Sequence, residues 1–454
     1  MDMLKKNDMI EITIEDLTVE GAGIGRYQGL AVFVPRALPG ETVTAKIIKL
    51  TKSYAVGRLM QLHKAVADRV QPFCPVFEQC GGCTLQHLDY ATQLEYKRRY
   101  IRECFRRIGS IDIDLPGIVP SENTTAYRNK AAFPAGEADG GIDAGFFAPR
   151  SHRLVIADCG IQKNALNDIK KAVVGWAREN GVKAYEEERN TGTLRHIVVR
   201  QTSNGDIMVG IVVRGKVDEG SLVKALKSIP GVKSIVLNFN LERGNAILGA
   251  ESRVVYGDAY ITEYYEGLEF RAGLTSFLQV NYPQSARLYS IALGYADITK
   301  RDVVFDLFCG IGTISLLAAQ HAKTVLGIEY VEEAVENARD NARLNGITNA
   351  QFLAGDAAQM IGQGICAAGN PDVVILDPPR KGCDKELLDA IIAAAPKRVV
   401  YVSCDPATLA RDAALLCAGG YEVKAVQGVD MFPNTTHVEC VILMSRILGE
   451  KNVY

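Results

Sequence analysis

Val303-Val304-Phe305-Asp306-Leu307-Phe308-Cys309-Gly310-Ile311-Gly312-Thr313 decides the fold. An apolar run rich in Val and Phe predicts a buried strand, and the Gly turn that follows opens an expected helix over 314–321. A second apolar strand over 324–328 ends in Glu329, about 20 residues after the Gly turn, the separation at which an acid reaches a ribose hydroxyl in doubly wound folds. A dinucleotide dehydrogenase shares this pattern. Its third glycine is missing here, because Ser315 occupies that place, and a lone Gly turn is weak evidence. Farther on, Val373-Val374-Ile375-Leu376-Asp377-Pro378-Pro379-Arg380 puts Asp-Pro-Pro at the end of another buried strand, where open α/β sheets bind ligands. Proline there fixes φ and removes N–H donors, which gives a stiff pocket edge beside a carboxylate.

Two more strand ends carry reactive groups. Val399-Val400-Tyr401-Val402 reads as a strand, and Ser403-Cys404-Asp405-Pro406 turns it into a helix with Asp405 as N-cap and Pro406 in the first turn. A thiol just before a helix N-terminus is favoured as thiolate, although free Cys is also a common core residue. Glu439 is the one acid in Thr436-His437-Val438-Glu439-Cys440-Val441-Ile442-Leu443, and a solvated strand end is its plainer reading. Together, a thiol and a carboxylate suit substitution at C5 of a pyrimidine. The thiolate adds to the neighbouring ring carbon and makes C5 nucleophilic, and a base then removes the C5 proton.

Asp306-Leu307-Phe308-Cys309-Gly310-x-Gly312, Asp377-Pro378-Pro379-Arg380, Ser403-Cys404-Asp405-Pro406 and His437-Val438-Glu439, in this order, resemble the RNA (uracil-5-)-methyltransferase family. The resemblance implies Cys404 as nucleophile and Glu439 as proton acceptor. It also implies S-adenosylmethionine contacts at Gln279, Phe308, Glu329 and Asp377, and at Thr313 and Asp356, where the family's side chains vary.

Upstream, Cys74, Cys80 and Cys83 have five and two residues between them, and Cys159 follows in Asp158-Cys159-Gly160. Four thiolates bind zinc or an iron–sulfur cluster, and spacing alone leaves zinc in place. The Cys-Gly-Gly-Cys followed by Gln86-His87 is similar to the [4Fe-4S] site of the rRNA branch of the same family. A radical enzyme needs an iron free of protein thiolate, whereas Cys159 closes the fourth position.

Residues 1–64 read as short strands with Gly and Pro turns, including a Gly-rich turn over 20–26, and predict a small barrel. No long helix follows that turn, which argues against a phosphate loop. The segment resembles a TRAM domain, an OB-like RNA-binding module. Lys46, Lys49, Lys52, Arg58 and Lys64 give it a basic side or a merely solvated one. Residues 65–274 read as α+β. Within them, the cations of 97–107 lie on an amphipathic helix, a phosphate-contacting face or a solvated one. The resemblance implies that this helix, somewhere in 86–117, packs on the catalytic domain, and that Arg128 and Lys130 contact RNA.

The chain of 454 residues, 48% hydrophobic with net charge -2, is not a general polyanion binder. It lacks a signal-type apolar segment near residue 1 and any run of about 18 apolar residues. Eleven cysteines then favour thiols and metal ligands over disulfides, in the cytoplasm. The expected architecture is multidomain: an OB-like β-barrel, a central α+β domain with a four-cysteine cluster, and from 275 to 454 a Rossmann-like methyltransferase domain. With the resemblance, the expected activity is methyl transfer to C5 of a uridine in 23S rRNA by a monomer. A tRNA methyltransferase and a non-catalytic RNA-binding iron–sulfur protein are the alternatives.

Overall fold

The computed structural model describes residues 4–138 and 141–447. At the N-terminal side, Met9–Leu17, Ala22–Tyr27, Leu30–Pro35, Thr42–Leu50 and Tyr54–Lys64 close into a barrel. Alternate residues fill it, among them Ile10, Ile12, Ile14, Val43, Ala45 and Ile47, the period of two expected of strands with one buried face. Contrary to expectation, the glycines of 20–26 are not all turn, because Ala22–Tyr27 is a strand. A Cβ on Gly23 would lie 2.6 Å from the Ala37 carbonyl oxygen, and one on Gly25 2.3 Å from that of Thr13. Both positions are close backbone approaches that admit only glycine.

The middle region holds a six-stranded sheet in the order Glu251–Gly257, Val232–Phe239, Ile207–Val213, Leu194–Gln201, Lys130–Ala138, Gly141–Ala144. Helices Asn164–Glu179 and Glu219–Leu226 cover one face. Leu274 and Ile261 meet Met208 and Val212 on the other, which is why Ile207–Val213 is buried along its whole length. The next hairpin, Ile261–Tyr265 with Leu268–Ala272, places Tyr265, Phe270 and Ala272 in the C-terminal core.

The C-terminal sheet has the order Ala350–Ala354, Thr324–Glu329, Val303–Asp306, Val373–Leu376, Arg398–Ser403, Glu439–Arg446, Tyr421–Val429. Its first five strands are parallel and the last two pair antiparallel. Phe305 and Val304 point into different core clusters, one on each face. Strand order reverses beside Val303–Asp306, which opens a crevice at the C-terminal ends.

The helix Tyr90–Cys104, continued by the wider turn Phe105–Gly109, lies against Pro406–Ala418, with Ile101, Cys104 and Phe105 in one cluster with Leu409, Ala410 and Ala413. Several of its cations have carboxylate partners within the protein. Lys97 pairs with Asp430, Arg98 with Glu95, Arg99 with Asp16, and Arg106 and Arg107 with Glu103. Only the Lys97 charge is buried; Arg99, Arg106 and Arg107 stay exposed in their pairs, and such surface pairs are weak, so a solvated face and a phosphate-contacting face both fit this helix. Among the described residues no helix is long and apolar enough to cross a membrane.

Candidate active site

A cavity of about 800 Å³ occupies the crevice at the strand ends. Gln279, Phe308, Thr313, Glu329, Asp356, Asp377, Cys404 and Glu439 all line it, although they span 160 residues of sequence from Gln279 to Glu439. The topology does most of this: the parallel strands deliver the ends and loops bearing Phe308, Thr313, Glu329, Asp356, Asp377 and Cys404 to one edge, and the antiparallel strand starting at Glu439 begins at that same edge.

The Gly turn shapes the first wall. Gly310 and Gly312 have φ of 53° and 86°, and a Cβ on Gly312 would press on Ala338 and Phe352. Glu329 is held in advance, one oxygen accepting from Gly310 N at 3.1 Å and the other from Val331 N at 2.9 Å. Ser315, which stands where a third glycine would be, donates to Asp306 Oδ2 at 2.6 Å. Asp306 is buried, its Oδ1 has no partner, and burial pushes its pKa up to about 6.

Next to it the acids multiply. Burial, and then the charge of Asp306, push Asp377 up to about 7. Burial and Asp377 push Glu439 up to about 8, with Arg380 pulling the other way. An acidic crevice with an unsatisfied carboxylate oxygen suits a cationic ligand, whose charge lowers all three values.

Cys404 does not have the thiolate character expected of its position. Burial, then Glu439, hold it up at about 11, against a smaller opposing effect of Arg380. The helix start does not offset this, because Asp405 Oδ1 accepts from the Ala407 and Thr408 N–H groups at 2.9 and 3.2 Å. The helix's free donors serve that carboxylate rather than the sulfur.

A second cavity, about 450 Å³, is lined by Cys74, Cys80, Cys83, Cys159 and Arg128. Phe277, Gln279, Arg380, Phe432 and His437 line both cavities. The four thiols are free. Burial, with the other three thiols adding to it, pushes Cys83 up to about 12, against a hydrogen bond from Gln86. Among the described residues no group of three or more His, Cys, Asp or Glu is arranged around a single metal ion. Lys130 lines neither cavity, and burial, with Arg200 and Arg128 nearby, lowers it to about 8.

Arg380, His437 and Phe277 stand inside the sequence motifs, yet sequence reasoning gave them no roles. Arg380 Nη2 lies 3.4 Å from His437 Nε2, joining two motifs across the shared wall. Phe277 is 67% exposed where it lines both cavities, and nothing in its sequence neighbourhood marks that exposure.

The sequence profile of the tRNA (uracil-5-)-methyltransferase family matches residues 89–447, and that of the TRAM domain matches residues 4–60. An uncharacterized RNA methyltransferase of Halalkalibacterium halodurans is 46% identical over 447 residues, 97% of this chain and 98% of that protein. One from Bacillus cereus is 44% identical over 98% of each. Among solved structures, the Pyrococcus abyssi tRNA (uracil-54, C5)-methyltransferase in complex with S-adenosyl-L-homocysteine is similar with a TM-score of 0.77 and 26% identity, covering 96% of this chain and 100% of that one.

Proposed function

Since the chain belongs to the RNA (uracil-5-)-methyltransferase family, carries a TRAM domain and so methylates uracil C5 in RNA from S-adenosylmethionine, we propose that Cys404 and Glu439 perform the transfer and that 23S rRNA is the substrate. The observation that carries the assignment is the meeting of Cys404, Glu439 and the six cofactor-side residues in one cavity.

S-adenosylmethionine supplies an electrophilic methyl on a cationic sulfur. Gln279, Phe308, Thr313, Glu329, Asp356 and Asp377 would hold it, Glu329 at the ribose. Cys404 Sγ, once deprotonated, bonds to C6 of the uracil and turns C5 into an enolate carbon that takes the methyl. Glu439 as carboxylate accepts the remaining C5 proton, the C5–C6 double bond re-forms, and Cys404 leaves as thiolate. Burial beside Asp377 holds Glu439 up at about 8 without ligand, and next to a cationic sulfur it falls toward the working pH at which a general base is most effective.

Cys74, Cys80, Cys83 and Cys159 would hold a [4Fe-4S] cluster. All four line one cavity, and the choice of a cluster over zinc rests on the likeness of the Cys-Gly-Gly-Cys pattern to the rRNA branch. The eleven cysteines, free of disulfides, support work in a reducing cytoplasm, and we take the chain to act as a monomer there. The rRNA reading rests on the likeness of the cysteine pattern and barrel to the rRNA branch. A second reading, tRNA, is favoured by the coverage of 96% of this chain by the Pyrococcus abyssi tRNA enzyme, because barrel and middle domain alone then do not separate the substrates.

One experiment tests both parts. Glu439→Gln is incubated with S-adenosylmethionine and either 23S rRNA fragments or tRNA transcripts. An SDS-stable protein–RNA band is expected with rRNA and is lost when Cys404→Ala is added to the variant. A band with tRNA alone overturns the substrate, and no band with either overturns the Cys–Glu assignment.

A further inference from the structure

The strand that begins with Glu439 is reached through the loop 430–434, whose five backbone carbonyls are all bonded from outside it. Gln284 donates to the Asp430 oxygen at 3.0 Å and Asn281 to that of Met431 at 3.1 Å. Lys97 Nζ donates to the Phe432 oxygen and the Tyr127 hydroxyl to that of Pro433, each at 3.1 Å. The N–H groups of Thr84 and Leu85 converge on the Asn434 oxygen at 3.0 and 2.9 Å. Connecting segments usually run over the surface and leave carbonyls to water. This loop leaves none.

Only one of these donors is charged. Lys97 Nζ also lies 2.6 Å from Asp430 Oδ1, and both side chains are fully buried. The Tyr90 hydroxyl donates to the other oxygen of Asp430 at 2.8 Å, and Phe432 N bonds to Oδ1 at 3.2 Å. A buried ion pair is weak evidence for stability, because apolar residues of similar volume often replace it without loss. What it does fix is geometry: Lys97 binds the carboxylate and the Phe432 carbonyl together.

We propose that Lys97 is a positioning residue for methyl transfer, which with Asp430 sets the 430–434 loop and so places Phe432, His437 and the Glu439 carboxylate against Cys404. The inference rests on Glu439 being the base. Phe432 and His437 stand edge to face, 6.1 Å between ring centroids, on the wall shared by the two cavities. A shift of the loop therefore moves the wall and the base together, and a misplacement of about 1 Å costs on the order of 100-fold in rate.

The test compares Lys97→Met/Asp430→Leu and Tyr90→Phe with the unaltered chain, measuring kcat, KM for RNA, binding of S-adenosyl-L-homocysteine and thermal midpoint. Removing both charges is expected to keep the midpoint and the ligand affinity, leave KM within about twofold, and lower kcat at least about tenfold. Tyr90→Phe, which keeps both charges, is expected to lose kcat several-fold at unchanged ligand affinity. Full turnover by Tyr90→Phe, or recovery of both midpoint and kcat in the double variant, overturns the proposal. If the double variant does not fold, Tyr90→Phe decides alone. Glu439→Gln in the same assay separates the two layers: normal turnover by that variant removes the base assignment, while a fall of kcat in the Tyr90 and Lys97 variants still supports the loop's part.

Discussion

At the scale of single residues, the sequence singled out Cys404 and Glu439, which line one cavity, but it did not show their charge state. Cys404 and Glu439 could be chosen from neighbouring letters, but their ionisation depends on burial and on Asp377 and Arg380, which lie elsewhere in the chain. Asp405 had an expected helix-capping role, and only the structure shows that this role denies the same N–H groups to the sulfur. A consequence can be measured. The unfolded pKa of a Glu is about 4.3, and Glu439 is raised to about 8 in the fold. The unfolded chain therefore releases this proton first, so the stability present below about pH 4 is lost as pH rises through about 8. Glu439→Gln, a neutral near-isostere, is expected to match the unaltered protein at pH 4 and to raise the midpoint of the C-terminal domain by a few degrees at pH 9, read by calorimetry without ligand. Equal midpoints at both pH values would show that the carboxylate is not held neutral.

At the scale of elements, strands and helices were legible from periodicity, while their uses depended on distant partners. The helix Tyr90–Cys104 was readable as basic and amphipathic. That Lys97 and Arg99 meet acids was not, because Asp430 and Asp16 are remote in sequence. The segment Ala22–Tyr27 misled in the same way: its glycines answer carbonyls of Thr13 and Ala37, which no local turn rule contains. For the cysteine-bearing loops the spacing singled out four thiols that line one cavity, and it was silent about any metal. Purified without oxygen, the protein is expected to be brown with about four irons per chain. Cys80→Ser or Cys83→Ser should release the metal and speed hydrogen exchange over 74–88, since binding energy at a closed site is also folding energy. Zinc without iron would replace the cluster.

At the scale of the molecule, the order of the modules was legible, but their interlocking was not. The barrel touches the segment that leads into Glu439, a Cβ on Gly21 lying 3.1 Å from Thr436, and the Tyr96 hydroxyl bonds the Thr18 carbonyl at 2.8 Å. Its outer face has an unexplained feature: Lys46 and Arg58 stand opposite each other on paired strands, an arrangement of like charges that is unfavourable alone and relieved by a polyanion. Lys46→Ala/Arg58→Ala is expected to bind S-adenosyl-L-homocysteine as before and to make the salt dependence of RNA binding shallower by about two in log–log slope. An unchanged slope would remove this face from RNA recognition. The pairing of Lys97 with Asp430 reaches across 333 residues, and it has a meaning in time. A ribosome adding about 5–20 residues per second needs on the order of 20–70 s to make the second partner after the first. Throughout that interval the helix waits with an ammonium that has no carboxylate to meet, and the thiol of Cys404 is made before the loop that would aim a base at it. Translation thus makes Lys97 and Cys404 before Asp430 and Glu439, so the proposed base is the last of these four groups to appear.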